Sequence, residues 1–205
     1  MTEHYRLRYM TTDDISQVVE VDKLSFPMPW SPRSYTFEVT DNKSSHMVVV
    51  DSTPIVGLSL RTLWNRLNGR PSTPAHILGY GGFWLIDGET HVSTIAMHPD
   101  FRGKGLGEVL LSGMIERSLE LNAEYAVLEV RVTNESAIGL YTKYGFEIVG
   151  QRKNYYRDNN EDAYLMHCSP FDAAYRKRFA ELLNKLHTRV DYEYWLNHDT
   201  RSTTV

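Results

Sequence analysis

Cysteine is nearly absent: the 205-residue chain has one, Cys168, which excludes an intrachain disulfide and any multi-cysteine metal site. No apolar run approaches the ~20 residues that span a bilayer, and the first residues (MTEHYRLRYM) lack the apolar stretch of a secretory leader. The expectation is a cytoplasmic protein with no membrane association. An excess of charge is lacking too. Twenty-two Lys and Arg against 26 Asp and Glu leave −4, which makes the chain a poor general polyanion binder, and no nucleic-acid recognition motif accompanies its basic segments. Its eight histidines fall at no metal-ligand spacing, so no metal is expected.

What is present is an ordinary globular composition, 41% hydrophobic and 23% charged, in a length that suits one substantial domain and an appendage. Residues 5–10 read as a strand. Thr11 and Asp14 have the spacing that satisfies free amides at a helix start, and Ile15, Val18 and Val19 form an apolar stripe that Pro27 and Pro29 end. Ser31-Pro32 reads as N-cap and first residue of a second helix. Strands are predicted at 46–51, 77–86 and 91–98. The long connection at 52–76 holds a short apolar run and three arginines, and predicts an extra hairpin or a flap.

Apolar residues at 106, 109, 110, 114 and 115 mark a long helix within 103–121. A strand at 125–132 follows, then a helix at 135–144 capped by Asn134 and closed by Gly145, and strands at 146–152 and 163–168. Runs of strands followed by alternation with helices predict an α/β (α+β) fold: a twisted mixed sheet, mostly antiparallel, with helices on both faces. Beyond Pro170, residues from Phe171 to Val190 trace a stripe of some twenty residues, with five Lys and Arg against two acids. An aromatic stretch (Tyr192, Tyr194, Trp195) and a frayed polar end complete the chain. The expected organisation is a domain at 1–170 carrying the 52–76 insertion, and a helical extension at 171–205 that folds back over it, with dimerisation as the runner-up. The expected state is a monomer or weak homodimer.

Two segments carry chemistry. Arg102-Gly103-Lys104-Gly105-Leu106-Gly107 joins a strand to the strongly periodic helix. Glycines there let backbone approach a bulky anion, and the first helical turn offers unpaired amides and a positive dipole end. The turn suits a phosphate or diphosphate. It is not a Walker loop, because Gly105 follows Lys104, and it is not the dinucleotide fingerprint, because the spacing is Gly-x-Gly-x-Gly and the turn comes late in the chain. In the second segment, alternation puts Leu128, Val130 and Val132 on one strand face and Val127, Glu129 and Arg131 on the other. A glutamate in an apolar strand is either working or paired, and Arg131 on the same face is the obvious partner. Tyr141 on the next helix has packing as its plain alternative.

Ile95-Ala96-Met97-His98-Pro99 followed by Arg102 to Gly107 resembles the acetyl-CoA site of the GNAT acetyltransferases, whose motif is Arg/Gln-x-x-Gly-x-Gly/Ala. Phe26 with Pro29-Trp30-Ser31, Leu128-Glu129-Val130-Arg131 with Asn134, Leu140-Tyr141, Gly145-Phe146, Arg152 to Tyr156 and Glu161-Asp162-Ala163 resemble the RimI-type branch. That branch acetylates the N-terminal alanine of a small-subunit ribosomal protein. The resemblance covers roughly 5–51 and 77–168 and is silent about 52–76 and the extension.

It implies a GNAT fold, acetyl-CoA as cosubstrate without a metal, and a protein N-terminus, that of a ribosomal protein, as partner. It implies cofactor contacts at Ile95, Ala96, Met97, Arg102, Gly103, Lys104, Gly105, Leu106, Gly107, Glu108 and Asn134. Glu129 would be the base, directly or through water, and Tyr141 the acid. Phe26, Pro29, Trp30, Tyr155 and Tyr156 would line the peptide groove. Alternatives are transfer to a small amine or a lysine side chain, and a non-catalytic module that responds to acetyl-CoA.

Overall fold

The computed structural model describes residues 4–53 and 76–197. Its elements run β1 (His4–Tyr9), α1 (Ile15–Ser25), α2 (Pro32–Thr40), β2 (Ser45–Thr53), β3 (His76–Ile86), β4 (Glu89–Met97), α3 (Leu106–Glu120), β5 (Tyr125–Arg131), α4 (Glu135–Lys143), β6 (Glu147–Tyr156), β7 (Glu161–Cys168), α5 (Ala173–His187) and β8 (Tyr192–Tyr194). The hairpin or flap expected at 52–76 falls almost entirely outside the described residues.

The caps form where the residue types predict them. Thr11 N–H donates to Asp14 Oδ2 at 2.8 Å, Ser31 Oγ accepts from Ser34 N–H at 3.1 Å with Pro32 behind it, and Asn134 Oδ1 accepts from Ala137 N–H at 3.2 Å. Among the described residues no helix is long and apolar enough to cross a membrane.

The strands make one sheet in the order β6-β7-β5-β4-β3-β2-β1-β8. Its pairings are antiparallel except β4 with β5 and β1 with β8. β2 reads as a continuous apolar run because both its faces are covered. Met47 and Val49 join Val18, Tyr35 and Tyr80 under α1 and α2, while Val48 and Val50 join Leu110, Met114 and Phe83 under α3. The mixed, mostly antiparallel sheet with helices on both faces matches the expectation.

The C-terminal segment departs from it in the length of its helix and in an added strand. The helix spans Ala173–His187 rather than some twenty residues, and the aromatic stretch after it forms a strand: Tyr5 to Leu7 pair with Tyr192 to Tyr194 in parallel. Without this strand β1 would be an edge with unpaired backbone groups; with it, Trp195 N–H also donates to Leu7 carbonyl at 2.8 Å. Tyr175, Phe179, Leu186, Val190 and Leu196 are buried in the same core as α3, so the stripe faces its own chain. Phe179→Ala is expected to destabilise the fold by about 3 kcal/mol through the lost ring and the cavity left behind. Thermal unfolding would register this as a fall of about 8 °C.

Candidate active site

β4 and β5 run together only briefly. Glu89 to Val92 pair with Tyr125 to Leu128, and beyond that point the two strands have no mutual register. The cause lies one residue further along β4. The β3–β4 register shifts between Gly82 and Phe83, leaving Ser93 as the extra residue, and Ser93 Oγ donates to Gly82 carbonyl at 3.1 Å. Such a bulge bends its strand away from a neighbour. The parting opens a cleft of about 610 Å³. Ser93, Thr94 and Ile95 wall one side, and Leu128 to Arg131 the other.

The cleft collects most of the candidate side chains. Phe26, Trp30, Ile95, Glu129, Asn134, Tyr141, Tyr155 and Tyr156 all line it; Pro29 is exposed and does not. Tyr155 and Tyr156 reach it from the end of β6, where the register with β7 breaks and Asn154 adopts a positive φ of 52°. Phe26 and Trp30 are held by a residue that sequence reasoning missed. Asp22, buried at the end of α1, accepts the Trp30 N–H at 2.6 Å and the Tyr80 hydroxyl, and Tyr35 donates to Tyr80 at 2.9 Å. Asp22 thereby closes the turn that carries the two aromatics.

Glu129 is 7% exposed, and Arg131 is not its partner. Arg131 reaches across to Asp158 at 2.8 Å and Glu161 at 2.9 Å and lies over the Tyr156 ring. Glu129 instead meets His91 Nε2 at 2.8 Å through Oε2 and Arg152 at 2.9 Å through Oε1. The Glu129–Arg131 pair, the plain alternative, does not form: each side chain meets partners from other segments instead. The hydrogen bond from His91 holds the Glu129 carboxyl below its ordinary range, against burial and with Arg152 adding to it. The same bond raises the His91 pKa. His91 carried no sequence signal, since only the parallel register of β4 on β5 brings it to the glutamate.

Tyr141 lies on α4, buried, with its ring centroid 5.9 Å from that of Phe146. Burial pushes its phenol pKa up, and the neighbouring Tyr156 adds to this. The hydroxyl therefore keeps its proton throughout the neutral range.

The glycine turn sits at the end of β4, outside the cleft lining. Gly103 and Gly105 have φ of 75° and 83°, which side-chain-bearing residues adopt at a cost. The Glu108 and Val109 amides donate to Gly105 carbonyl, so the amides ahead of them precede the first helical hydrogen bond of α3. Lys104 is exposed and lies over the Phe101 ring, whereas Arg102 donates to Met97 carbonyl at 3.1 Å and Ser25 Oγ at 3.3 Å. Arg102 thus ties the turn to α1 and the wall of the cleft. Ala96 and Met97 send their side chains into the two cores and leave backbone for a ligand. The Glu108 carboxylate is taken by Lys143, Tyr144 and Arg189. An extended ligand arm fits along the unpaired edge of β4, with an anionic group on the turn.

Residues 15–146 match the Acetyltransferase (GNAT) family. A Bacillus subtilis (strain 168) protein, whose name gives ribosomal protein bS18-alanine N-acetyltransferase as a provisional activity, is 35% identical over 160 residues, 78% of this chain and 92% of the relative. The crystal structure of the ribosomal-protein-S18-alanine N-acetyltransferase from Escherichia coli superposes with a TM-score of 0.65 at 22% identity, covering 82% of this chain and 96% of that one. The PaiA N-acetyltransferase of Thermoplasma acidophilum, solved in complex with coenzyme A, superposes with a TM-score of 0.58 at 13% identity, covering 82% of this chain and 99% of that one.

Proposed function

This chain belongs to the GNAT acetyltransferase family as an N-acetyltransferase of the RimI type, and we propose that it acetylates the N-terminal α-amino group of a protein, the N-terminal alanine of a small-subunit ribosomal protein. The observation that carries the reading is that Glu129 and Tyr141 line one cleft with the aromatic pairs Phe26–Trp30 and Tyr155–Tyr156. Aromatics on two sides suit an extended peptide end, giving contact area at low entropic cost. The relative with 35% identity, named for bS18 alanine, supports the substrate class.

Acetyl-CoA, when bound, supplies an activated acyl group, and the chain's own residues do the rest. Amides of 103–107 hold the diphosphate, the backbone of 95–97 orients the arm, and Asn134 adds a contact while it caps α4. The incoming amine arrives as an ammonium with a pKa of about 7.7–8.0 and must lose a proton before attack. Glu129 has both oxygens engaged and a depressed pKa, so it is a weak direct acceptor. It takes part through water, with His91 behind it as the group that changes protonation. Tyr141 holds its proton at Oη and hands it to the departing thiolate.

An acetyl-transfer assay against peptides that differ only in their first residue tests the reading. Mass spectrometry should place the acetyl group on the α-nitrogen, with alanine preferred. Acetylation of an internal lysine or a free polyamine instead would refute the proposed substrate. Asp22→Asn should loosen the Phe26–Trp30 turn and raise KM for the peptide about tenfold, the scale of one hydrogen bond to a charged group. KM for acetyl-CoA should change far less.

A further inference from the structure

The family match ends at residue 146, and nothing in the proposed reaction uses the C-terminal segment. That segment nevertheless reaches the glycine turn. After α5 the Arg189 and Val190 amides both donate to Leu186 carbonyl at 2.9 Å, turning the chain back toward α3. Val190 is buried against Gly105 so closely that a Cβ at Gly105 would lie 2.8 Å from its Cγ2. Arg189 Nη2 donates to Glu108 Oε2 at 2.9 Å.

Glu108 is the third residue of α3, in the helical turn that begins at the amides assigned to the diphosphate. Burial works to raise its pKa, but hydrogen bonds from Lys143, Arg189 and Tyr144 outweigh burial and keep it ionised. Alone, it would repel the ligand that the turn attracts. Lys143 cancels the charge, and Arg189 brings the cluster to a formal +1.

Resting on the reading of 103–107 as the diphosphate seat, we infer that the C-terminal segment belongs to the cofactor-binding apparatus, with Arg189 as a positioning residue that acts through Glu108 to keep the mouth of the turn electropositive. Affinity for CoA then follows the net charge of Glu108, Lys143 and Arg189. The Arg189 side chain is 50% exposed, so salt weakens its contribution.

The test is calorimetric titration of the full chain with CoA alone, which needs no turnover. Arg189→Gln lowers the cluster to zero and should weaken binding about fivefold at low salt, the scale of one charge at a helix N-terminus, and less at ~0.5 M salt. Glu108→Gln raises the cluster to +2 and should tighten binding. The double variant, Glu108→Gln with Arg189→Gln, returns to +1 and should bind within about twofold of the parent. Arg189→Lys keeps the charge and should do the same, which separates charge from loss of fold. Arg189→Gln binding as tightly as the parent would overturn the inference. So would a double variant as weak as Arg189→Gln, since Arg189 would then act directly on the ligand or on the fold. A parent chain that does not bind CoA would remove the underlying reading along with it.

Discussion

Tyr141→Phe is expected to lower kcat about a hundredfold or more, the lower range of what a positioned general acid contributes. The phenol is buried beside Phe146 and Tyr156, and that burial keeps its proton in place well beyond the range of an exposed tyrosine. The loss should therefore be nearly constant between about pH 6 and 9, because the parent's Tyr141 does not titrate there. The ring packing survives the substitution, so the melting temperature and the CoA affinity should stay close to the parent values. A variant with undiminished kcat would return Tyr141 to a packing role in the core it shares with Tyr144 and Phe146.

Glu129→Gln should cost about as much near neutral pH, and should also change the shape of the pH profile. In the parent, Glu129 stabilises the imidazolium of His91 and raises its pKa. Below that raised value the pair is carboxylate and imidazolium, and no site is left for the substrate's proton. Above it His91 is neutral and the pair can accept. Activity therefore rises with pH as His91 and the amine each lose a proton. With glutamine at 129, His91 returns toward its ordinary value of about 6.5 and the acid limb reflects the amine alone. The ion pair also contributes to folding: its stabilisation is complete between the ordinary carboxyl range and the unfolded histidine's value of about 6.5, and is lost as pH rises through the raised His91 value or falls through the lowered Glu129 value. Full activity in this variant would leave Glu129 as an ion-pair anchor for His91 and Arg152 and nothing more.

Much of this was readable from residues in order. The β2 run, the caps at Thr11, Ser31 and Asn134 and the glycine turn each follow from local pattern and form where the pattern puts them, and the stripe after Pro170 forms a helix shorter than its pattern. The Glu129–Arg131 pair did not form. Two residues on one strand face are near each other in any strand, but the register of β4 on β5 and the course of β6 bring His91 and Arg152 to one, and the turn after β6 and the start of β7 bring Asp158 and Glu161 to the other. β8 was not readable either. Three residues at Tyr192–Tyr194 are too short to show alternation, and they become a strand only because β1 presents a bare edge.

The sequence by itself determined the fold class and the 102–107 turn, and resemblance pointed to the family and to Glu129 and Tyr141 as candidates. Periodicity and glycine spacing are local properties that the chain carries unfolded. Only the tertiary structure decided what those residues touch. The parting of β4 from β5 after Val92, the approach of His91 to Glu129 and the reach of Arg189 to Glu108 join positions 38 and 81 residues apart in the last two cases. Such contacts depend on strand register and on how a helix packs, and neither is written in any short stretch of the chain.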